Sequence, residues 1–136
     1  MKKILIDSGP LIALFDASDK HHARAINFIK NKNSILISTI ASITETLHLL
    51  NFNRNAQIDF LEWINQGAVE IYSIENTDFG RIKELTIKYS DLPMDFADAT
   101  IVCLATETRI QNVITFDRKD FAIYKLPKKR SFTIMP

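Results

Sequence analysis

The chain has 136 residues, of which 46% are hydrophobic and 24% are charged, and its formal net charge at pH 7 is +1. This composition is typical of a globular domain and argues against disorder, while the near-neutral charge does not by itself indicate a nucleic-acid-binding protein. The apolar runs fall short of the ~20 residues that span a bilayer, and Asp7 interrupts the first of them, so we expect neither a membrane segment nor a signal peptide. The single cysteine, Cys103, favours a reducing, cytoplasmic setting. We predict one domain over residues 1–136.

The apolar pattern predicts short strands that alternate with helices. The first strand, residues 4–6, is an apolar run typical of a strand buried on both faces, and we expect a turn at Gly9 and Pro10 after it. Strands that alternate with helices indicate a parallel α/β sheet with helices on both faces. Helices are expected over residues 11–15, 20–32, 40–52, 56–66, 77–89 and 95–108, further strands over 35–37, 69–72, 112–116 and 132–135, and a loop over 90–93.

Two acids directly follow apolar strands. Asp7 comes after the first strand and Asp117 after the fourth. If these strands are parallel neighbours, both carboxylates lie at the same edge of the sheet, where open α/β sheets bind ligands. Thr115, two residues before Asp117, would point the same way as that acid. Each acid alone is also compatible with a turn residue or with the N-cap of the next helix.

Asp98 is the most informative single acid. On its predicted helix it heads an apolar stripe formed by Ile101, Val102 and Ala105. A charge against such a stripe is costly unless something pairs with it, which favours a functional role. The alternative is a first-turn acid that the helix dipole stabilises, with Asp95 as the N-cap.

Glu45 lies in the middle of the predicted third helix. A functional role and a capping box with Ser42 fit the local sequence equally well. Taken together, four clustered acids would repel one another by roughly 1 kcal/mol per pair even at the screening of water. Such a cluster needs protons or a cation, and an all-oxygen ligand set suits Mg²⁺ or Mn²⁺. A divalent ion held in this way supports phosphodiester hydrolysis.

Basic residues are concentrated near the end of the sequence, although the whole chain is nearly neutral. Such a patch is equally compatible with phosphate binding and with a merely solvated surface. Six of the 17 basic residues lie in the last 19 positions, namely Arg118, Lys119, Lys125, Lys128, Lys129 and Arg130.

These motifs, in this order, resemble the PIN-domain family, and in particular the small VapC-type toxin ribonucleases. The resemblance covers essentially the whole chain. It implies a three-layer α/β/α sandwich around a mostly parallel sheet of about five strands. The matching segments are residues 6–14, 38–39 with 44–45, 95–101 and 114–121.

The resemblance also implies a site that holds one or two Mg²⁺ or Mn²⁺ ions. Ser8 and Thr115 match the hydroxyl positions that support the acids, although family members often have Thr where this chain has Ser8. Asp95 is either an additional metal ligand or a helix cap, and Asp120 is expected outside the ligand set. The implied catalytic residues, which are also the metal ligands, are Asp7, Glu45, Asp98 and Asp117.

The reaction implied by the resemblance is hydrolysis of RNA, in which a bound metal activates water and stabilises the developing charge. The expected substrate is unpaired RNA, and the resemblance further implies a homodimer and inhibition by a small antitoxin protein. Two alternatives remain open: a non-catalytic RNA- or protein-binding module on the same fold, and a small phosphohydrolase that acts on nucleotides. The residues expected to hold the RNA backbone are Arg118, Lys119, Lys128, Lys129 and Arg130.

Overall fold

A parallel sheet of five strands runs through the centre of the molecule, whose computed structural model describes residues 2–92 and 94–136. The strands are β1 (Lys2–Ile6), β2 (Ser34–Thr39), β3 (Val69–Tyr72), β4 (Asn112–Ile114) and β7 (Thr133–Met135). They lie in the order β3-β2-β1-β4-β7, and each neighbouring pair is parallel. Two further strands, β5 (Lys125–Leu126) and β6 (Arg130–Ser131), form a separate antiparallel hairpin.

Helices connect these strands and cover both faces of the sheet. Short 3-10 turns at Asn76–Asp78 and Pro127–Lys129 complete the described elements. The helices are α1 (Ser8–Phe15), α2 (His22–Lys30), α3 (Ile40–Leu49), α4 (Arg54–Asn65), α5 (Phe79–Lys88), α6 (Phe96–Thr108) and α7 (Arg118–Ile123).

The sheet separates two apolar clusters, because alternate residues of a strand point to opposite faces. On one face, Ile4 and Ile6 of β1 pack with residues of α1, α3 and α4, among them Phe60. On the other face, Leu5 packs with residues of α5, α6 and α7, among them Ile101. The molecule is therefore a three-layer α/β/α sandwich, and the predicted fold class is confirmed.

The five strands of the sheet lie where the sequence predicts them, with ends that differ by a few residues. The expected turn at Gly9 and Pro10 is wrong, since both residues belong to the first turn of α1. Proline is tolerated there because the N–H groups of a first helical turn have no acceptor within the helix. β4 ends at Ile114 rather than at residue 116, where the chain turns and the Asp117 N–H donates to the Thr115 hydroxyl.

Residues 118–131 contain short elements that the sequence pattern does not reveal. α7 has six residues, and β5 and β6 have two each, which is too short for a hydrophobic period to appear. Met1 and Pro93 lie outside the described residues, so the predicted loop over 90–93 is compared only over 90–92. Among the helices of the described chain, none combines the length and the apolar character that crossing a bilayer requires.

Candidate active site

The carboxyl ends of β1 and β4 bring Asp7 and Asp117 to the same edge of the sheet, because Ile6 pairs in parallel with Ile114. Asp7 directly follows β1, and its N–H donates to the Ile114 main-chain oxygen at 3.0 Å. Its side chain is only 5% exposed, whereas Asp117, three residues beyond β4, is exposed. The two acids therefore occupy the floor and the rim of one site.

Thr115 connects these two acids. Its buried hydroxyl donates to Asp7 Oδ2 at 3.0 Å and accepts from the Asp117 N–H at 3.0 Å. Asp117 is the N-cap of α7, where Oδ1 accepts from the Asp120 N–H at 3.3 Å. Asp117 is therefore the N-cap of a helix, as one of the two interpretations of the sequence predicts, and it also lies at the site. Asp120 lies in the first turn of α7, behind that cap.

The start of α6 supplies two more acids. Asp95 is the N-cap of this helix, and its Oδ1 accepts from the Asp98 N–H at 2.8 Å. Asp98 Oδ2 accepts from the Tyr124 hydroxyl at 3.0 Å. Asp95 therefore has the capping role that the sequence left open, and the hydrogen bond to Tyr124 fixes the orientation of Asp98.

Glu45 approaches the site from α3, whose start is fixed by Thr39. The Thr39 hydroxyl accepts from the Ser42 N–H at 3.2 Å, so Thr39 is the N-cap and the alternative capping box between Ser42 and Glu45 is wrong. Ser8 donates a hydrogen bond from Oγ to Glu45 Oε1. The Thr39 hydroxyl also lies 2.8 Å from that of Thr100, which joins α3 to α6.

The acids are close enough to perturb one another's protonation. Burial raises the pKa of Asp7 to about 7, and the charges of Glu45 and Asp95 add to this effect. Burial also raises the pKa of Asp98 to about 8, with further contributions from Asp7 and Asp95, while the hydrogen bond from Tyr124 lowers it. At pH 7 about half of the Asp7 carboxyls and most of the Asp98 carboxyls therefore hold a proton that ordinary aspartates have released.

The same causes act on the other two acids. Burial, followed by the charge of Asp95, raises the pKa of Glu45, and the hydrogen bond from Ser8 lowers it. Burial, followed by the charge of Asp120, raises the pKa of Asp117. Across residues 2–92 and 94–136, the ion pair found joins Lys3 to Glu70, so no described Lys or Arg forms an ion pair with the acids of the site.

The residues present fit a hard divalent cation in their chemistry. Every donor is a carboxylate or hydroxyl oxygen, the ligand class that Mg²⁺ and Mn²⁺ prefer. Asp7 Oδ1 is buried and makes no hydrogen bond to any described residue. Within the same described residues, however, no three acidic, histidine or cysteine side chains already meet as a formed metal-ligand group. The described acids are therefore close enough to influence one another's pKa without forming a closed set of metal ligands.

The basic residues expected to bind RNA divide into two groups. Arg118 and Lys119 begin α7 directly after Asp117, and Arg118 Nη1 donates to the Pro136 main-chain oxygen at 2.6 Å. The other three line cavities beside Thr106 and Pro127, and the structure does not bring them to the acids. This second group consists of Lys128, Lys129 and Arg130.

Two features of the site were missed in the sequence. Tyr124 is fully buried and reaches Asp98 across 26 residues, and no local pattern signals such a contact. Phe79 and Phe96 form a stacked pair with ring centroids 5.9 Å apart, and each is about half exposed. Phe96 directly follows Asp95, so the sequence signal that could have indicated this pair is an aromatic residue next to a predicted helix cap.

Comparison with known families and curated proteins gives two matches. The sequence model of the PIN domain family matches residues 4–127. The curated protein Ribonuclease VapC26 of Mycobacterium tuberculosis is 26% identical over 135 residues, which are 98% of this chain and 100% of that protein.

Comparison with solved structures supports the same fold. Mycobacterium tuberculosis VapC20, described as a Sarcin-Ricin loop cleaving toxin, has a TM-score of 0.78 and 21% identity, with 85% of this chain and 91% of that chain covered. Rickettsia felis VapBC2, solved bound to a DNA fragment from its promoter, has a TM-score of 0.67 and 12% identity, with 98% and 99% covered. A toxin–antitoxin complex from Klebsiella pneumoniae has a TM-score of 0.61 and 21% identity, with 88% and 90% covered.

Proposed function

The chain belongs to the PIN domain family, and from this premise we propose that it is a metal-dependent endoribonuclease that hydrolyses RNA phosphodiester bonds. The curated relative that matches its full length is named a ribonuclease, which supports this assignment. The observation that carries the proposal is the convergence of carboxylates from four separate elements on one sheet edge, with the pKa of each raised. The residues proposed as catalytic and as metal ligands are Asp7, Glu45, Asp98 and Asp117.

Three of these acids have a side-chain partner that positions the carboxyl group. Thr115 holds Asp7, Tyr124 holds Asp98, and Ser8 holds Glu45. A Mg²⁺ or Mn²⁺ ion bound by the acids would activate water and stabilise negative charge at the scissile phosphate. Asp7 and Asp98 must release their protons before they can serve as ligands, so the site is expected to act at neutral to alkaline pH.

We propose that Asp95 caps α6 and contributes a negative charge to the site without being an obligatory ligand. Its Oδ1 is already engaged with the Asp98 N–H, and its charge raises the pKa of Asp98. Asp120 lies outside the proposed ligand set.

Unpaired RNA is the substrate class that the surroundings of the site support. The half-exposed rings of Phe79 and Phe96 lie beside Asp95, and aromatic side chains stack on unpaired bases. Arg118 and Lys119 are exposed next to Asp117 and carry the charge that phosphates require. The site thus offers stacking on one side and cations on the other.

We further propose that the protein is the toxin of a toxin–antitoxin pair, that it forms a homodimer, and that a small antitoxin protein inhibits it. Solved toxin–antitoxin complexes share its fold, which supports such a partner. The single buried cysteine and the single-domain organisation proposed for residues 1–136 are compatible with action in the cytoplasm.

The test is cleavage of a mixed-sequence, unpaired RNA by the purified protein with Mn²⁺ and with EDTA. We expect cleavage only with the metal, and we expect Asp98→Asn to reduce the rate by at least about a thousandfold, since it removes a ligand charge. Asp59→Asn makes the same chemical change on an exposed position of α4 and should cleave as the parent does.

Three outcomes would contradict the proposal. Equal cleavage by Asp98→Asn would show that the assigned acids do not form the active site. RNA binding without turnover, and with no rise in melting temperature on adding metal, would favour the non-catalytic module. Hydrolysis of mononucleotides in preference to RNA would favour the phosphohydrolase.

A further inference from the structure

A basic cavity of about 560 Å³ lies between α5, α6 and the β5–β6 hairpin. Its apolar floor includes Leu85, Val102 and Leu126, and Glu84 is the acid among its lining residues. A second cavity of about 350 Å³ shares Thr106, Pro127 and Lys128 with the first, so the two are contiguous. The cations that line the two cavities are Arg81, Lys88, Lys125, Lys128, Lys129, Arg109 and Arg130.

Most of these cations make no contact among the described residues that occupies the charged group. None of them forms an ion pair with a described residue. Two of them have an engaged ammonium group: Lys125 Nζ donates to the Ala122 main-chain oxygen at 3.2 Å and to Ser131 Oγ at 3.0 Å, and Lys88 Nζ lies over the Tyr89 ring, 5.3 Å from its centroid. The remaining cations of the cavities have their charged ends available for an anionic ligand.

The loop of the hairpin has lysine where its backbone favours glycine. Lys128 and Lys129 have φ values of 62° and 59°, in the left-handed region that side chains disfavour. Two consecutive residues of this kind are a strained arrangement. Glycine at these positions would relieve the strain, so the backbone gains nothing from lysine there.

The cavities lie on the same face of α6 as the active site. Asp98, Val102 and Thr106 are spaced four residues apart and therefore share one helix face. At about 1.5 Å per residue, Thr106 lies ~12 Å and Arg109 ~16 Å from Asp98 along the helix axis. A stacked nucleic-acid strand advances about 3.4 Å per nucleotide, so ~12 Å corresponds to roughly four nucleotides.

We propose that the two cavities form an exosite that binds the sugar–phosphate backbone of the RNA substrate about four or more nucleotides from the scissile bond. This inference rests on the proposed ribonuclease function and adds a second contact region to it. RNA is favoured over an acidic polypeptide because the cavities adjoin the face of α6 that carries Asp98. The exosite would make long RNA bind more tightly than a short oligonucleotide that reaches the acids alone.

The test measures binding of two fluorescein-labelled RNAs, an unpaired 20-mer and a pentamer, in an Asp98→Asn background that prevents cleavage. Lys88→Ala combined with Lys128→Gly should raise the Kd for the 20-mer about tenfold. It should also lower the slope of log Kd against log salt concentration by about 1.4, the value for two lost phosphate contacts on a single strand. The Kd for the pentamer should change by less than about twofold.

Two controls separate the exosite from general effects. Lys83→Ala removes an exposed lysine of α5, the helix that carries Lys88, and Lys83 does not line the cavities. This variant should leave the Kd values for the 20-mer and for the pentamer unchanged. Lys128→Gly removes a charge and relieves backbone strain together, so its melting temperature should not fall below that of the parent.

Several results would overturn the exosite. These are an unchanged Kd for the 20-mer, equal weakening of the 20-mer and the pentamer, and no binding of the 20-mer by the parent. Polyglutamate binding that depends on Lys88 and Lys128, with RNA binding that does not, would assign the cavities to an acidic polypeptide instead. Exosite-dependent RNA binding by a protein that never cleaves RNA would refute the proposed function and leave the exosite intact.

Discussion

Tyr124 is the residue through which the protonation of Asp98 can be changed with least disturbance. Its ring packs edge-on against Tyr89 and Phe121, and its hydroxyl donates to Asp98 Oδ2 at 3.0 Å. Because this hydrogen bond lowers the pKa of Asp98, Tyr124→Phe should raise it further. Loss of a hydrogen bond to a charged group corresponds to a shift of about one unit, so cleavage at pH 7 should fall roughly threefold to tenfold.

The measurement for Tyr124→Phe is the pH dependence of cleavage. We expect the acidic limb of the profile to move to higher pH while the melting temperature stays within a few degrees of the parent. Tyr89→Phe is the matched control. The Tyr89 hydroxyl accepts a hydrogen bond from the Lys125 N–H and is not bonded to a carboxyl group of the site. A profile that is identical in the parent and in Tyr124→Phe would show that Asp98 does not control the acidic limb.

Thr115 is a second residue whose hydroxyl can be tested alone. Thr115→Val keeps the shape of the side chain but removes the donor to Asp7 Oδ2 and the acceptor of the Asp117 N–H. Thr115 and Asp7 are buried, so the free energy of unfolding should fall by about 1–3 kcal/mol, and cleavage should fall as well. Thr115→Ser should preserve both properties. Urea unfolding and cleavage assays measure these two properties. Equal results for Thr115→Val and Thr115→Ser would contradict this view.

At the scale of elements, the start of α6 offers a test of the two roles considered for Asp95. Asp95→Asn keeps a good N-cap but removes the charge, whereas Asp95→Ala removes both. We expect Asp95→Asn to retain the stability of the parent and most of its metal affinity, and Asp95→Ala to lose about 1 kcal/mol of stability. Thermal melts and Mn²⁺ titrations distinguish the two, and a tenfold weaker Mn²⁺ affinity in Asp95→Asn would make Asp95 a ligand.

The elements that the sequence predicts are those with a long apolar signal. β1 reads as a strand because its three aliphatic residues are buried on both faces, and α6 reads as a helix because its apolar residues recur over three turns. The β5–β6 hairpin lacks such a signal, as each of its strands has two residues. Its loop is also built from lysines with positive φ, which no turn propensity would select.

The sequence predicts those parts of the site whose position follows from the order of the strands. Asp7 and Asp117 follow adjacent parallel strands, so their common edge follows from the topology. Tyr124 could not be found in this way, because its contact with Asp98 depends on how α7 and the chain after it pack on α6. The sequence also could not show that Lys128 lies apart from Lys119. Only the path of the β5–β6 hairpin shows that these two nearby sequence positions face different surfaces.

At the scale of the whole molecule, the acids make stability depend on pH and on metal. The folded-state pKa values of Asp7 and Asp98, about 7 and about 8, exceed the unfolded value of 3.8. The folded state therefore binds these protons more tightly than the unfolded state. Their stabilising contribution is complete below about pH 4 and is lost as the pH rises through 7 to 8.

We expect the metal-free protein to be less stable at pH 8.5 than at pH 5.5 by about 2–4 kcal/mol, a value reduced from the full shifts because Asp98 is partly exposed. Urea unfolding in EDTA measures the difference. Asp98→Asn should be the more stable protein at pH 8.5 and should flatten the pH dependence, and Mn²⁺ should stabilise the parent more than this variant. Stability that increases with pH in EDTA would contradict the assigned pKa shifts.

The cluster of four acids also bears on which substitutions the protein accumulates and on its lifetime in the cell. A substitution that neutralises one acid removes both activity and electrostatic repulsion, so inactive variants start with an advantage in folding. A library selected only for thermal resistance should therefore accumulate changes at these four positions and lose the nuclease. If the proposed metal binds, the metal-free fraction would be the one most open to proteases, and the lifetime of the protein would follow the supply of divalent cation.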